Sequence, residues 1–232
     1  MDLDKKKLEK VLGLKITDTE IFIRAFTHRS FLNENKSLEI NSNERLEFLG
    51  DAVLQFLSSE YLFKTYTKNP EGDLTAYRAS IVNTTSLGFE SKRLGYGDFL
   101  LLSKGEEANN GRGNEYILAN SFESVLGAIF LSFGIDTCRT FLEKNLFYKL
   151  EQIVSSGSFR DSKSHFQEIS QELKNITPTY KVIKEWGPDH DKTFEVGVYL
   201  DKKLISKGTG SSKQRAESDA ASKGIEILEN EK

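Results

Sequence analysis

Three carboxylates, Glu44, Glu47 and Asp51, recur at i, i+3 and i+7 and so share one narrow helical face. Like charges at that spacing repel, and an isolated helix has no need of them. Acids gathered on a rigid helix suit a hard cation such as Mg²⁺; the bland alternative is a solvated acidic stripe. The apolar run Leu46, Leu49, Val53, Phe56 and Leu57, threaded through the same stretch, tilts the reading toward a site. A second set of oxygen donors lies far downstream. Glu123 is the sole formal charge between Tyr116 and Gly134, and a carboxylate on so apolar a helix needs a cation or a proton. Asn120, one turn earlier, presents a carbonyl oxygen on the same face. Glu47, Asp51, Asn120 and Glu123 together make a candidate hard-metal site. A carboxylate-bridged redox di-iron bundle is excluded, because it needs Glu-x-x-His pairs and the chain has none.

Two helices must position these residues. The periodicity predicts one from Asn43 to about Tyr66, and a second, apolar nearly all round and therefore a core helix, over residues 116–131. Around them the pattern predicts helices at 3–12 and from the capping Asp18 through Phe26, ended by Thr27-His28-Arg29-Ser30, then a polar loop at 33–43. Pro70 and Gly72 mark a turn at 68–73; helices follow over 74–88 and on to Leu94. The glycine- and charge-rich stretch 101–113 reads as a loop, 137–153 as a last helix, and Ser155-Ser156-Gly157-Ser158 as the start of a flexible linker.

The pattern then changes type. Residues 163–173 are helical, and 180–186, 193–200 and 203–208 read as strands, the second alternating Phe194, Val196, Val198 and Leu200 with other residues. A final helix starts at Ser212, a good N-cap, and turns Ala216, Ala220, Ile225 and Leu228 inward. The order α-β-β-β-α predicts two helices on one face of an antiparallel sheet. The expectation is thus multidomain: an all-α domain at 1–154, a linker at 155–160 and an α+β domain at 161–230.

At 232 residues, with 38% hydrophobic and 29% charged residues, the chain is long enough for two modest domains with cores of their own. The single Cys138 excludes an internal disulfide and any cysteine cluster, which fits a reducing compartment. The N-terminal residues carry no long apolar run, so neither a signal peptide nor a membrane span is predicted, and a cytoplasmic protein follows. The net charge of −3 does not advertise a nucleic-acid binder, although basic surfaces can be local.

The segment Asn43-Glu44-Arg45-Leu46-Glu47-Phe48-Leu49-Gly50-Asp51-Ala52-Val53-Leu54 resembles the signature of the ribonuclease III family, the double-stranded-RNA endonucleases. Ile117-Leu118-Ala119-Asn120-Ser121-Phe122-Glu123 resembles the family's second motif, with Asn120 where the family usually has Asp. Thr27-His28-Arg29-Ser30 resembles a further element; His28 reads as hydrogen-bonding or RNA-facing rather than catalytic. The last seventy residues resemble a double-stranded-RNA-binding domain, in Gln167-Glu168, Gly187-Pro188-Asp189-His190 and the run from Gly208 to Glu217. The resemblance therefore covers nearly the whole chain.

It implies an all-α ribonuclease III endonuclease domain followed by an α+β binding domain. The activity would be metal-dependent hydrolysis of duplex RNA to 5′-phosphate and 3′-hydroxyl products, in rRNA and mRNA processing. Glu47, Asp51, Asn120 and Glu123 would hold Mg²⁺, with Mn²⁺ able to substitute and with Asp51 and Glu123 catalytic. Glu44 would be second-shell or RNA-proximal. So would Glu71, which matches a further family acid and otherwise reads as a solvent-facing turn residue. Cutting both strands implies a homodimer, and Phe48 resembles its interface aromatic, with core packing as the plainer alternative. In the binding domain, Ser164, Gln167, Glu168 and His190 would meet minor grooves. The helix N-terminus at Ser212, with Lys213 and Arg215 and with Lys207 from the preceding strand, would clamp phosphates. Residues 161–232 carry twelve Lys and Arg against thirteen Asp and Glu, which implies weaker or more salt-sensitive RNA binding. Asn120 keeps a second reading open: a duplex-binding protein whose nuclease site is weakened or inactive.

Overall fold

A computed structural model of the chain describes residues 3–157, 162–188 and 192–229. The chain divides into two compact units, Met1–Phe159 and Arg160–Lys232.

The first unit is helical: α1 (Lys5–Leu12), α2 (Thr19–Ala25), α3 (Arg29–Glu34), α4 (Glu44–Thr65), α5 (Glu71–Ile81), α6 (Thr84–Arg93), α7 (Lys104–Ala108), α8 (Glu115–Phe133), α9 (Ile135–Asn145) and α10 (Leu150–Ser155). The centre is α8. Asn114 caps it by accepting from the backbone amides of Tyr116 and Ile117, and eleven of its residues are buried. By length and hydropathy α8 could cross a bilayer, yet most of it is enclosed by the protein's own side chains. Two buried hydroxyls fasten it to its neighbours: Ser124 Oγ donates to the Ala25 carbonyl on α2, and the Ser91 hydroxyl on α6 donates to the Leu118 carbonyl, both at 2.7 Å. On α6, fully buried Glu90 is matched by Arg93 Nε at 2.6 Å, Lys149 Nζ at 2.8 Å and the Tyr148 hydroxyl at 3.0 Å. A carboxylate so enclosed is tolerated only with such partners.

Several boundaries differ from the sequence expectation, each for a local reason. Thr27–Ser30 does not end a helix: Thr27 bridges to Leu101, and His28 caps the new helix α3, its Nδ1 accepting from the Ser30 amide. The helix expected over 74–94 breaks at Val82–Asn83, where Asn83 Oδ1 accepts from the Ser86 amide and starts α6 afresh. Within 101–113, the expected loop, Ser103 caps α7 by accepting from the Glu106 amide. The helix expected over 137–153 is two, parted by a 3-10 turn at Phe147–Lys149. Phe56, expected inward, is 58% exposed, at the rim of an apolar arc wider than its neighbours cover.

In the second unit, β1 (Thr179–Trp186), β2 (Thr193–Leu200) and β3 (Lys203–Gly210) form an antiparallel sheet in that order, flanked in sequence by α11 (Ser162–Lys174) and α12 (Lys213–Glu229). Phe166 and Ile169 of α11, Val198 and Leu200 of β2, and Ala220, Ala221 and Leu228 of α12 share one core. α12 lies directly on β3: a Cβ at Gly208 would stand 2.1 Å from the Ala220 nitrogen. Both helices therefore occupy one face of the sheet, as α-β-β-β-α predicts.

Candidate metal centre and duplex-binding residues

Two glycines bring the acidic residues together. A Cβ at Gly50 on α4 would stand 1.8 Å from the Glu123 carbonyl oxygen, and one at Gly127 on α8 would stand 2.3 Å from the Leu46 carbonyl oxygen. The helices thus cross with main chain against main chain. Glu47 and Asp51 flank Gly50, and Glu123 lies one turn before Gly127, so the carboxylates border the crossing from both sides.

Their electrostatics record the juxtaposition. The Glu123 carboxyl is pushed up to about 7, first by burial and then by the charges of Asp51 and Glu47. Glu47 is raised too, by burial, then by Glu44 and Asp51, with Arg29 opposing. Glu44 accepts from Ser42 Oγ at 3.0 Å and lies 3.7 Å from the Arg29 guanidinium. Asp51 is exposed and accepts from Gln55 Nε2 at 3.3 Å. Among the described residues, the side chains of Glu47, Asn120 and Glu123 make no hydrogen bond or ion pair with protein groups. Partly buried oxygens with no partner, crowded by like charge, are a donor set suited to a hard divalent cation. Among the described residues, however, no three acidic, histidine or cysteine side chains already stand as a closed ligand cage.

Glu71 shows no contact with this group among the described hydrogen bonds and ion pairs. It opens α5, is exposed, accepts from Thr75 Oγ1 at 2.8 Å, and is not among the charges that perturb Glu47 or Glu123. Phe48 does face outward, 81% exposed, in the company of Phe63 at 74%, which the apolar run does not include, and of Phe56, which that run places inward. At about 100° per residue the three fall within one arc of α4. Phe56 stands at the edge of the sequence's apolar stripe, and a helical projection that groups it with Phe48 and Phe63 marks the arc.

On α11, Ser164, Gln167 and Glu168 are exposed and line a shallow groove of about 480 Å³ with Gln171 and Glu172, opposite buried Phe166 and Ile169. At the start of α12, Ser212 Oγ accepts from the Arg215 amide at 3.2 Å, confirming the cap. Lys213 and Arg215 are exposed in that first turn; Arg215 Nη1 donates to Ser211 Oγ at 3.0 Å. Lys207 does not join them. It pairs in register with Gly197, on the sheet face away from the helices, and its ammonium lies 3.1 Å from Glu195. Gly208 points at α12, and strand alternation sends its neighbour to the other side. His190 lies outside the described residues.

Residues 18–150 match a family model described as Ribonuclease-III-like, and residues 162–228 match the double-stranded RNA binding motif. Ribonuclease 3 of Streptococcus gordonii is 44% identical over 228 residues, covering 95% of this chain and 97% of that protein. Ribonuclease 3 of Streptococcus equi subsp. zooepidemicus is 43% identical over 230 residues, covering 96% and 98%. Among solved structures, a nuclease domain of ribonuclease III from Campylobacter jejuni is similar with a TM-score of 0.56 and 40% identity, over 61% of this chain and 98% of that one. That structure is described as showing flexibility in a region involved in dimer formation.

Proposed function

The chain belongs to the ribonuclease III family, and from that premise we propose how its two units divide the endonucleolytic hydrolysis of double-stranded RNA. Residues 1–154 form the catalytic domain, 155–160 a linker and 161–230 the duplex-binding domain. Glu47, Asp51, Asn120 and Glu123 hold Mg²⁺, which Mn²⁺ can replace. When bound, the metal supplies a Lewis acid that makes water more acidic and offsets phosphate charge. The observation that carries this assignment is the Gly50–Gly127 crossing, with Glu123 raised to about 7 by burial and by the facing Asp51 and Glu47.

The chain's own groups do the remaining work. Glu47 and Asp51 approach from α4, Asn120 and Glu123 from α8, so the site is held by two helices locked through backbone contact. Glu44, tethered near Arg29, borders the site and is placed to tune its charge. Glu71 serves as an RNA-proximal acid outside the ligand group. Ser164, Gln167, Glu168 and His190 take minor-groove contacts, and Lys213 and Arg215 meet phosphates beside the free amides of α12. Two copies pair through the exposed Phe48 arc, so that one site serves each strand. Products carry 5′-phosphate and 3′-hydroxyl ends, the substrates are rRNA and mRNA precursors, and the setting is the cytoplasm, where the free buried thiol of Cys138 stays reduced.

The test is cleavage of a long RNA duplex with and without Mg²⁺, by the native chain and by Glu123→Ala. The native chain cuts only with metal. The variant binds duplex without cutting; near-normal cleavage by it overturns the site assignment.

A further inference from the structure

The outer face of the second unit's sheet lies apart from the described residues assigned above to duplex contact on α11 and at the start of α12. Register places Lys181, Lys184 and Trp186 of β1, Glu195, Gly197 and Tyr199 of β2, and Leu204 and Lys207 of β3 on the side away from the helices. The strand irregularity between Val182 and Lys184 brings Ile183 there too. At Gly197 a Cβ would meet Leu204 Cδ1 at 2.8 Å and Ile183 Cδ1 and Tyr199 Cε2 at 2.9 Å, so these side chains close over the glycine into an apolar floor. Trp186, opposite Thr193 toward the other end of the same strand pair, remains 42% exposed. Lys181 Nζ lies 5.5 Å from the centre of the Tyr199 ring, and Lys184 Nζ lies 5.5 Å from that of Trp186. Among the described residues no carboxylate pairs with either lysine, whereas Lys207 is held by Glu195.

We propose that this face binds single-stranded RNA, with Trp186 and Tyr199 as stacking platforms and Lys181 and Lys184 as phosphate contacts. Unpaired bases offer π faces that a duplex keeps inside its stack, and their backbone is a polyanion. The face answers both: an exposed Trp186 ring and a half-buried Tyr199 ring, and three lysines against one glutamate in a unit that is otherwise near neutral. An apolar protein surface would match the floor and leave the two unpaired ammonium groups without a counter-charge, so RNA is the better occupant. The proposal goes beyond duplex cleavage and does not depend on the first unit's chemistry.

Trp186 is the only tryptophan in the chain, so its fluorescence reads this face alone. The experiment titrates the full chain, in EDTA, with an unpaired oligouridylate of about ten nucleotides. Saturable quenching is expected, with little from a blunt duplex. With an end-labelled oligomer followed by anisotropy, Trp186→Ala should weaken single-strand binding roughly tenfold, and Trp186→Phe should retain most of it. Lys181→Ala with Lys184→Ala, which spares the rings, should reduce the slope of log affinity against log salt by about 0.7 per lost contact. Blunt-duplex affinity should stay unchanged in all three. Absence of quenching, unchanged single-strand affinity in both the Trp186→Ala and the double-lysine variants, or equal quenching by duplex overturns the proposal. A fall in sedimenting mass for Trp186→Ala also overturns it, in favour of a protein partner on this face. If Trp186→Ala fails to fold, the lysine pair decides alone.

Discussion

Replacing Glu123 with Gln should make the metal-free protein more stable, and only above mildly acidic pH. The carboxyl's rise from 4.5 to about 7 means that the folded state keeps its proton where the unfolded chain has lost it. Between those two values the folded state binds more protons, so this group's contribution to stability falls as pH rises and levels off above about 7. At about 1.4 kcal/mol per pH unit the ceiling is about 3 kcal/mol, and partial solvent access reduces it to roughly 1–2 kcal/mol. Glu47 shifts in the same direction and reinforces the trend. Gln resembles the protonated acid, so the variant should match the native chain near pH 4.5 and exceed it at pH 8. Urea denaturation in EDTA, followed by far-ultraviolet circular dichroism at both values, measures the difference. Adding Mg²⁺ should stabilise the native chain and narrow the gap, because a ligand of the folded state adds stability by mass action. A variant no more stable at pH 8, or one equally favoured at both pH values, would refute the placement of Glu123 against the other acids.

The helix crossing makes its own prediction: Gly127→Ala should destabilise the first unit by about 3 kcal/mol or more, since the added methyl meets backbone that cannot yield cheaply. Circular dichroism should report a lower midpoint while Trp186 fluorescence, which senses the second unit, does not move; coincident, unshifted transitions would argue against the close approach. Lys213→Ala with Arg215→Ala should weaken duplex binding alike for all sequences and lower the salt slope by roughly 0.7–0.9 per lost phosphate contact. A slope that stays put would free α12 from the backbone. Asn120→Asp should lower the Mg²⁺ concentration for half-maximal cleavage at least about fivefold, because a unit charge about 4 Å from a cation is worth about 1 kcal/mol even in water. Coincident titration curves would remove Asn120 from the ligand set, and a native chain silent at every Mg²⁺ and Mn²⁺ concentration beside an active Asp variant would mean that the native site is dead.

The candidate site's two helices are legible in the sequence because Glu123 is a charge amid apolar residues, rarely tolerated without purpose, and because three like charges share one face of a helix that also carries a core stripe. The short helix α7 is also within reach, since Ser103-Lys104-Gly105-Glu106 has the spacing of a capping box, although Gly105 within it and Gly111 and Gly113 beyond argue for a loop. Lys207 shows a different failure. Proximity in sequence to the α12 terminus suggests a shared clamp, but strand alternation, countable from Gly208, assigns the side chain to the opposite face. The interruption after Asn145 has no comparable signal. Leu146 is fully buried, and the chain leaves helical geometry there to turn Phe147 and Leu150 into the core, a demand set by neighbours distant in sequence.

The contact at Gly50 and Gly127 has a consequence for how such a site persists. Most helix pairs are held apart by side chains, and a leucine that becomes a valine lets them settle closer by some fraction of an ångström. Here the spacer is the main chain itself, which has nothing left to shrink. The distance between the acids of α4 and those of α8 therefore acts as a fixed gauge, insulated from drift in the surrounding core. Neighbouring residues can exchange one apolar shape for another over long histories while the gap across the crossing stays constant. Only at the two glycines themselves can a single substitution reset the gauge directly, and there it can move only wider.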